Sequence, residues 1–327
     1  MTALSVLDLV MIGEGKRLAD AIDESRQLAR HVEAHGYRRY WIAEHHDMPG
    51  IGSAATALVI GAIAAATTTL RVGSGGIMLP NHAPLVVAEQ FGTLAAMYPG
   101  RIDLGVGRAP GGAGATVRAL RGTGAERDFA QDVVEVMDYL ADNGKRPVRA
   151  GDQEHDVPLW VLGSSMYGAD LAAKLGLPYS FASHFAPRFL EQAIAHYRKN
   201  FIPSTHLAAP YVMVGVNVFA ADTDEEAAYR ASSHQAWMLN LHMGRLGPLP
   251  KPVSGFLAGL PAQEREVLDQ VMACTVAGDK RKVGAWLRAI ALRTGADELI
   301  IDSRIYDPAA RLQSHAYAAG ALREAMA

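Results

Sequence analysis

A single cysteine, Cys274, leaves no partner for an intramolecular disulfide, which removes the disulfide-stapled classes of secreted protein. Long apolar runs are missing too: the stretch from Ala54 to Ala66 is too short and too rich in alanine to span a bilayer. Lysines and arginines are scattered and the formal charge is only -3, which argues against a nucleic-acid surface and against a polybasic membrane anchor. Met1-Thr2-Ala3 does not open the basic-then-apolar pattern of a secretory signal. The expectation is a cytoplasmic protein whose partner is a small molecule, with no nucleic acid and no membrane.

Several chemical motifs are absent as well. There is no Gly-x-Ser-x-Gly elbow and no Walker loop, so hydrolase and nucleoside-triphosphate readings have nothing to rest on. Gly105-Val106-Gly107 has Pro110 where a dinucleotide fingerprint needs its third glycine. His31 and His35 stand four apart, but Glu33 falls at the wrong offset for a zinc helix, and the flanking Arg30 and Arg38 read as a solvated face. His82, His155, His184, His196, His206, His234, His242 and His315 show no metal spacing. No metal site is expected.

What remains is an apolar chain of regular rhythm. Half of its 327 residues are hydrophobic, and the length suits two ordinary domains or one α/β barrel, which needs about 250 residues. Strand-like runs alternate with helical segments from end to end, the pattern of a parallel sheet with helical crossovers. Eight strands are predicted: Ser5–Val10, Tyr40–Ala43, Leu70–Gly73, Ile102–Gly105, Leu159–Leu162, Tyr179–Phe181, Val212–Phe219 and Leu299–Asp302. Helical segments between them include Ala19–His35, Pro84–Met97, Asp128–Asp142, Ala169–Leu175, Phe189–Asn200 and Asp224–Met243. Gly36, Gly176 and Gly295 close helices as left-handed caps should, and Asp307-Pro308 opens the last one. The expected fold is a single TIM-like (β/α)8 barrel over residues 1–327. One stretch breaks the rhythm: Gly244–Pro261 holds four prolines and four glycines before the eighth strand. It is either an active-site lid or a flexible surface insertion.

In such a barrel the chemistry gathers at the strands' C-terminal ends. The second strand exits into Glu44-His45-His46. Successive strand residues face opposite ways, so His45 and His46 do not chelate one ion; one faces a cavity and the other packs. The third strand runs into Ser74-Gly75-Gly76, where adjacent glycines let backbone approach a flat ligand. The fourth ends in Gly107-Arg108 among further glycines (Gly111, Gly112), an arginine that either clamps a phosphate or carboxylate or pairs at a helix end. The fifth ends in Gly163-Ser164-Ser165, followed by a helix starting near Tyr167-Gly168. That is an anion cradle or an ordinary N-cap.

In order, these segments resemble the bacterial luciferase-like flavin monooxygenase superfamily. The matching pieces are Leu7-Asp8-Leu9, Tyr40 to His46, Arg71 to Pro80, Ala88-Glu89-Gln90, Pro99 to Gly105 with Gly107-Arg108, Leu162 to Ser165, and Thr294 to Leu299. They span nearly the whole chain. The resemblance implies a barrel that binds reduced FMN delivered by a separate NAD(P)H-dependent flavin reductase. It implies oxygenation of a small organic substrate with O2 through a C4a-(hydro)peroxyflavin. By position, His45 matches the family's catalytic histidine, and Glu44 either orients it or is structural. Ser74, Gly75 and Gly76 match the ring platform with its non-proline cis peptide. Arg108, Gly163, Ser164, Ser165, Tyr167 and Gly168 match the phosphate site. The reactive cysteine of luciferase is Gly107 here, so light emission and a long-chain aldehyde are not implied. A homodimer is expected, with Ala54–Ala66 and Pro84–Met97 as its interface. Two other readings stay open: hydride transfer with the deazaflavin F420, which relatives bind in the same mouth, and a flavin-binding accessory protein without turnover.

Overall fold

The computed structural model describes residues 2–109, 114–121, 128–141, 144–151 and 156–326; Pro110, Gly111, Gly112, Asp142 and His155 lie outside them. Nine strands are present among the described residues, all parallel: β1 (Ala3–Asp8), β2 (Arg39–Ile42), β3 (Arg71–Met78), β4 (Ile102–Gly107), β5 (Leu159–Gly163), β6 (Tyr179–Phe181), β7 (Val212–Ala220), β8 (Thr275–Gly278) and β9 (Glu298–Asp302). Eleven α-helices accompany them there: α1 (Leu18–Ala34), α2 (Thr56–Ala66), α3 (Pro84–Met97), α4 (Gly114–Arg121), α5 (Phe129–Ala141), α6 (Met166–Leu175), α7 (Leu190–Asn200), α8 (Asp224–His242), α9 (Ala262–Val271), α10 (Lys280–Thr294) and α11 (Pro308–Met326). The strand order is β6-β5-β4-β3-β2-β1-β9-β7-β8, and a β6–β7 pairing closes the first eight into the expected TIM-like barrel. The ninth strand departs from expectation. Thr275–Gly278 pairs with the upper half of β7, from Asn217 to Ala220, and extends the sheet outside the closed ring.

Alternation along the strands decides which face is which. In β7, Val212, Val214, Val216 and Val218 join the large core between sheet and helices, whereas Met213 belongs with Leu7, Trp41, Trp160 and Ile300 inside the barrel. Each fully buried side chain of this size contributes roughly 1.5–3 kcal/mol. The helices supply the other wall; α1 sends Ala21, Leu28, Ala29 and Val32 inward at helical spacing. The caps are as expected, with Gly36, Gly176 and Gly295 in the left-handed region and the Asp307 carboxylate accepting from the Ala310 N–H at 2.7 Å.

Several boundaries differ from expectation; β3 runs on to Met78 rather than ending at Gly73, and β4 to Gly107 rather than Gly105. β1 ends at Asp8 rather than Val10, because the Asp8 carboxylate accepts from the Val10 N–H at 2.9 Å and Val10 itself turns to a positive φ of 55°. Helix α6 begins at Met166, beside the start expected near Tyr167-Gly168 and three residues before the periodic segment at Ala169. The insertion before the last barrel strand does not stay irregular: it runs through a short 3-10 turn at Phe256–Gly259 into α9.

The N-terminal end of the barrel is plugged by charge. Arg39 donates to Asp103 at 2.7 Å and to both oxygens of Glu298 at 3.1 and 3.2 Å. Arg71 adds two bonds to Asp103 at 2.6 and 2.9 Å, the Trp41 indole N–H one at 3.2 Å. Tyr211 and Ser5 donate their hydroxyls to Glu298. Arg39 also lies over the Trp160 ring at 4.8 Å.

Candidate active site

The opposite end carries the residues singled out in the sequence. Gly75-Gly76 forms a cis peptide at the exit of β3, where the register with β4 shifts. A methyl group on Gly75 would come within 2.6 Å of Leu7 and 3.0 Å of Trp41, and one on Gly76 within 2.8 Å of the Gly105 carbonyl. Only glycine fits at either place, and the result is a shelf of bare backbone. Ser74 lies beneath it, fully buried, its hydroxyl donating to the Gly105 carbonyl at 2.8 Å and accepting from the Gly105 N–H at 3.0 Å. Its side chain therefore fixes the β3–β4 pairing and offers no surface of its own.

Glu44 braces the same shelf. Its backbone N–H donates to the Gly76 carbonyl at 3.3 Å and its carboxylate accepts from the Met78 N–H at 2.9 Å. The other carboxylate oxygen meets His46 at 2.5 Å and His82 at 2.8 Å. Burial would raise this carboxyl, but the hydrogen bonds from His82, Met78 and His46 outweigh it and hold it below its ordinary value. Glu44, His46 and His82 are the one group among the described residues whose ligand atoms lie close enough for a metal, within 4.8 Å of one another. His82 reaches this cluster from another strand exit, which spacing along the chain does not reveal. The cluster is already satisfied by hydrogen bonds, and none of them reaches the His45 ring.

His45 faces the other way, into the barrel. The residue is half-buried, and its Nδ1 is shut away without a hydrogen-bond partner. Burial, reinforced by the positive charge of Arg304, pushes it down to about 4. At neutral pH it is an uncharged imidazole with one donor and one acceptor nitrogen. Around it stand groups that the sequence did not mark: His184 after β6, Asn217 in β7, His234 in α8, and Asp302 and Arg304 at the end of β9. The available signal was the inward face of β7, where a buried Asn217 alternates with Met213, Gly215 and Phe219.

A third corner lies at the exits of β4 and β5. The Arg108 guanidinium sits 4.2 Å from the centre of the Tyr167 ring and has no carboxylate partner among the described residues. Tyr167 is in the first turn of α6, whose N-cap is Ser165 without a capping hydrogen bond from its side chain. The Ser164 and Ser165 hydroxyls and the first N–H groups of this ten-residue helix are left for another acceptor. A methyl group on Gly163 would lie 3.7 Å from the Gly168 Cα, and one on Gly168 would lie 3.6 Å from the Gly163 Cα, so the strand end and the helix start are neighbours at ordinary contact distance.

The stretch 244–261 is neither loose nor remote. Leu249 is 3 % exposed, its N–H donates to Ile12 at 2.9 Å, and its carbonyl accepts from Glu14 at 2.9 Å, just beyond β1. The Trp237 indole donates to Gly247 and the Val253 N–H donates to Ser232. Phe256, Leu257 and Leu260 pack against the barrel's inner apolar cluster. These contacts tie the stretch to the barrel just beyond β1.

Comparison with known proteins agrees with this architecture. Residues 4–298 match the family model described as luciferase-like monooxygenase. A luciferase-like monooxygenase of Escherichia coli (strain K12) is 48% identical over 318 residues, covering 95% of this chain and 94% of that one. The N-acetyl-S-alkylcysteine monooxygenase of Bacillus subtilis (strain 168) is 35% identical over 261 residues, 75% of each chain. Among solved structures, apo-MsnO8 superposes with a TM-score of 0.88 at 34% identity over 99% of both chains. Two more distant structures share the fold alone. The oxygenating constituent of 3,6-diketocamphane monooxygenase from Pseudomonas putida, in complex with FMN, has a TM-score of 0.69 at 17% identity and covers 99% of this chain and 98% of its own. The coenzyme F420 dependent tetrahydromethanopterin reductase of Methanopyrus kandleri has a TM-score of 0.66 at 14% identity and covers 96% and 97%.

Proposed function

The chain belongs to the luciferase-like monooxygenase family, and from that premise we propose that it is an FMN-dependent monooxygenase acting on a small organic substrate. The observation that carries this reading is the corner at Arg108: a guanidinium without a carboxylate partner among the described residues, held on Tyr167 beside an α6 start whose N–H groups and serines are uncommitted. A terminal phosphate is the ligand such a corner suits. The Gly75-Gly76 shelf would take the flat ring, with Ser74 holding the shelf from below and Glu44 bracing it from the side. Reduced FMN, when bound, supplies the electrons that let one atom of O2 enter the substrate. His45 holds the proton that must be given or taken at the reacting atoms, and its neutral state at pH 7 leaves it able to do either. Glu44 makes no hydrogen bond to His45, so it is a positioning residue in this scheme. The stretch 244–261, acting as a lid, keeps water from one side of the mouth.

The rest of the assembly follows from the same reading. Exposed Leu58, Val86 and Met97 on α2 and α3 support a homodimer through those helices. A separate NAD(P)H-dependent reductase would deliver the flavin. No helix among the described residues is long and apolar enough to cross a membrane, which is compatible with a cytoplasmic enzyme.

The test is an anaerobic titration with reduced FMN and, separately, reduced F420, followed by admission of oxygen. Reduced FMN is expected to bind, and Arg108→Ala to weaken it at least tenfold, about 1.4 kcal/mol. His45→Ala should bind flavin normally and lose roughly a hundredfold or more in turnover. Tight binding of F420 without FMN would replace this reading with hydride transfer. Normal flavin binding with undiminished turnover in His45→Ala would remove the role given to His45.

A further inference from the structure

Six polar side chains converge on the β6–β9 side of the mouth, away from the glycine shelf: His45, His184, Asn217, His234, Asp302 and Arg304. Asn217 and Asp302 are register partners on neighbouring strands. The Asn217 amide N–H donates to the His184 carbonyl at 2.7 Å, and the His184 ring lies so close over Gly215 that no side chain fits there. Arg304 grips Asp302 with bonds of 2.9 and 2.6 Å, and the His234 ring stands 5.3 Å from Phe219. The fields of Arg304 and Asp302 reach both His184 and His234, and that of Arg304 reaches His45. Apart from His45, these residues are all at least nine-tenths buried.

Burial on this scale normally requires a partner for each polar atom. Here His45 Nδ1, His184 Nδ1, both ring nitrogens of His234, Asn217 Oδ1 and Asp302 Oδ1 have none. The pattern of the missing partners carries a sign. The His184 carbonyl fixes the Asn217 amide with its N–H toward the backbone, so the orphan is the carbonyl oxygen. Both Arg304 bonds fall on Asp302 Oδ2, so the orphan there is the other carboxylate oxygen. The two fixed groups are acceptors. The histidines, kept neutral by burial, adapt by tautomer. A carboxylate here would face two oxygens, and an ammonium would find the charge of Asp302 already neutralised by Arg304 and would give up its hydration without a free counter-charge.

We propose that this cluster is a substrate subsite for a neutral hydrogen-bond donor, an amide N–H or a hydroxyl, with Asn217 and Asp302 accepting and His184 and His234 completing the contacts. The inference rests on the monooxygenase reading for the word substrate, and His45 joins the two, since the charge of Arg304 reaches it and it in turn is felt at His184. It gives the enzyme its selection between substrates, because a site that leaves buried acceptors bare rejects analogues unable to fill them.

The test uses three probes of one size: butyramide, butyrate and butylammonium, titrated calorimetrically into the full chain with and without reduced FMN. Butyramide should bind at least tenfold more tightly than either charged probe. Asn217→Leu and His234→Phe should each erase that preference while the affinity for reduced FMN stays unchanged. A butyrate or butylammonium affinity equal to that of butyramide, absence of butyramide binding at millimolar concentration, or a preference intact in both variants overturns the proposal. Preference for butyramide in a protein that does not bind reduced FMN would overturn only the cofactor reading; FMN binding without the preference would overturn only this one.

Discussion

At the N-terminal end of the barrel the four carboxylate oxygens of Asp103 and Glu298 all accept hydrogen bonds, from Arg39, Arg71, Trp41, Tyr211 and Ser5. At the C-terminal end Asp302 keeps one oxygen unpaired, and the histidines around it keep four ring nitrogens unpaired. Both ends are buried and both contain an arginine–carboxylate pair, so burial does not distinguish them. Completeness does. A finished network at one end stabilises and fixes the barrel, while an unfinished one at the other holds hydrogen-bonding capacity ready for something that arrives later.

The contrast is open to breaking by substitution, and the largest effect belongs to the finished end. Arg39→Ala strands two buried carboxylates and should destabilise the chain by about 3–5 kcal/mol in urea denaturation; a loss under about 1 kcal/mol would mean the plug is ornamental. Acid should attack the unfinished end next. His184 and His234 are held near 4 and 3 in the folded chain against an ordinary 6.5. The unfolded chain therefore takes up protons first as pH falls below 6.5, and stability is lost from there downward, about 2 kcal/mol per histidine by pH 5. A flat stability profile between pH 7 and 5 would contradict neutral histidines at this end. The smallest effect has the opposite sign. His234→Phe replaces a ring with two unpaired nitrogens by an apolar ring of similar shape and should stabilise by roughly 1 kcal/mol while flattening the acid slope. Destabilisation there would show that His234 has found its partners already.

The two ends also differ in how far the sequence announces them. Glu44-His45-His46 and Ser74-Gly75-Gly76 are contiguous and sit at strand exits, so their position is readable from strand boundaries alone. Gly107-Arg108 and Ser164-Ser165 are readable for the same reason. Arg39, Asp103 and Glu298 look like ordinary surface charges, and only the inward parity shared by Arg39 and Trp41 along β2 hints otherwise. The cluster around Asp302 is invisible in the chain because it draws its six residues from six places: β7, β9, α8 and the exits of β2, β6 and β9. The extra strand Thr275–Gly278 escapes a sequence reading because four residues beside a helix carry too little pattern, and its pairing with β7 is a tertiary fact. At 244–261, the hydrogen bonds of Leu249 to Ile12 and Glu14 join positions more than two hundred apart, which the chain does not announce.

The ring is not equally strong all the way round. β7 shares five register pairs with β9 and four with β8, but only three with β6, from Tyr179–Val212 to Phe181–Val214. That short joint is the one that closes the barrel. Hydrogen exchange at Tyr179, whose N–H crosses this joint to the Tyr211 carbonyl at 3.0 Å, measures the cost of unlatching the cylinder there rather than of melting it.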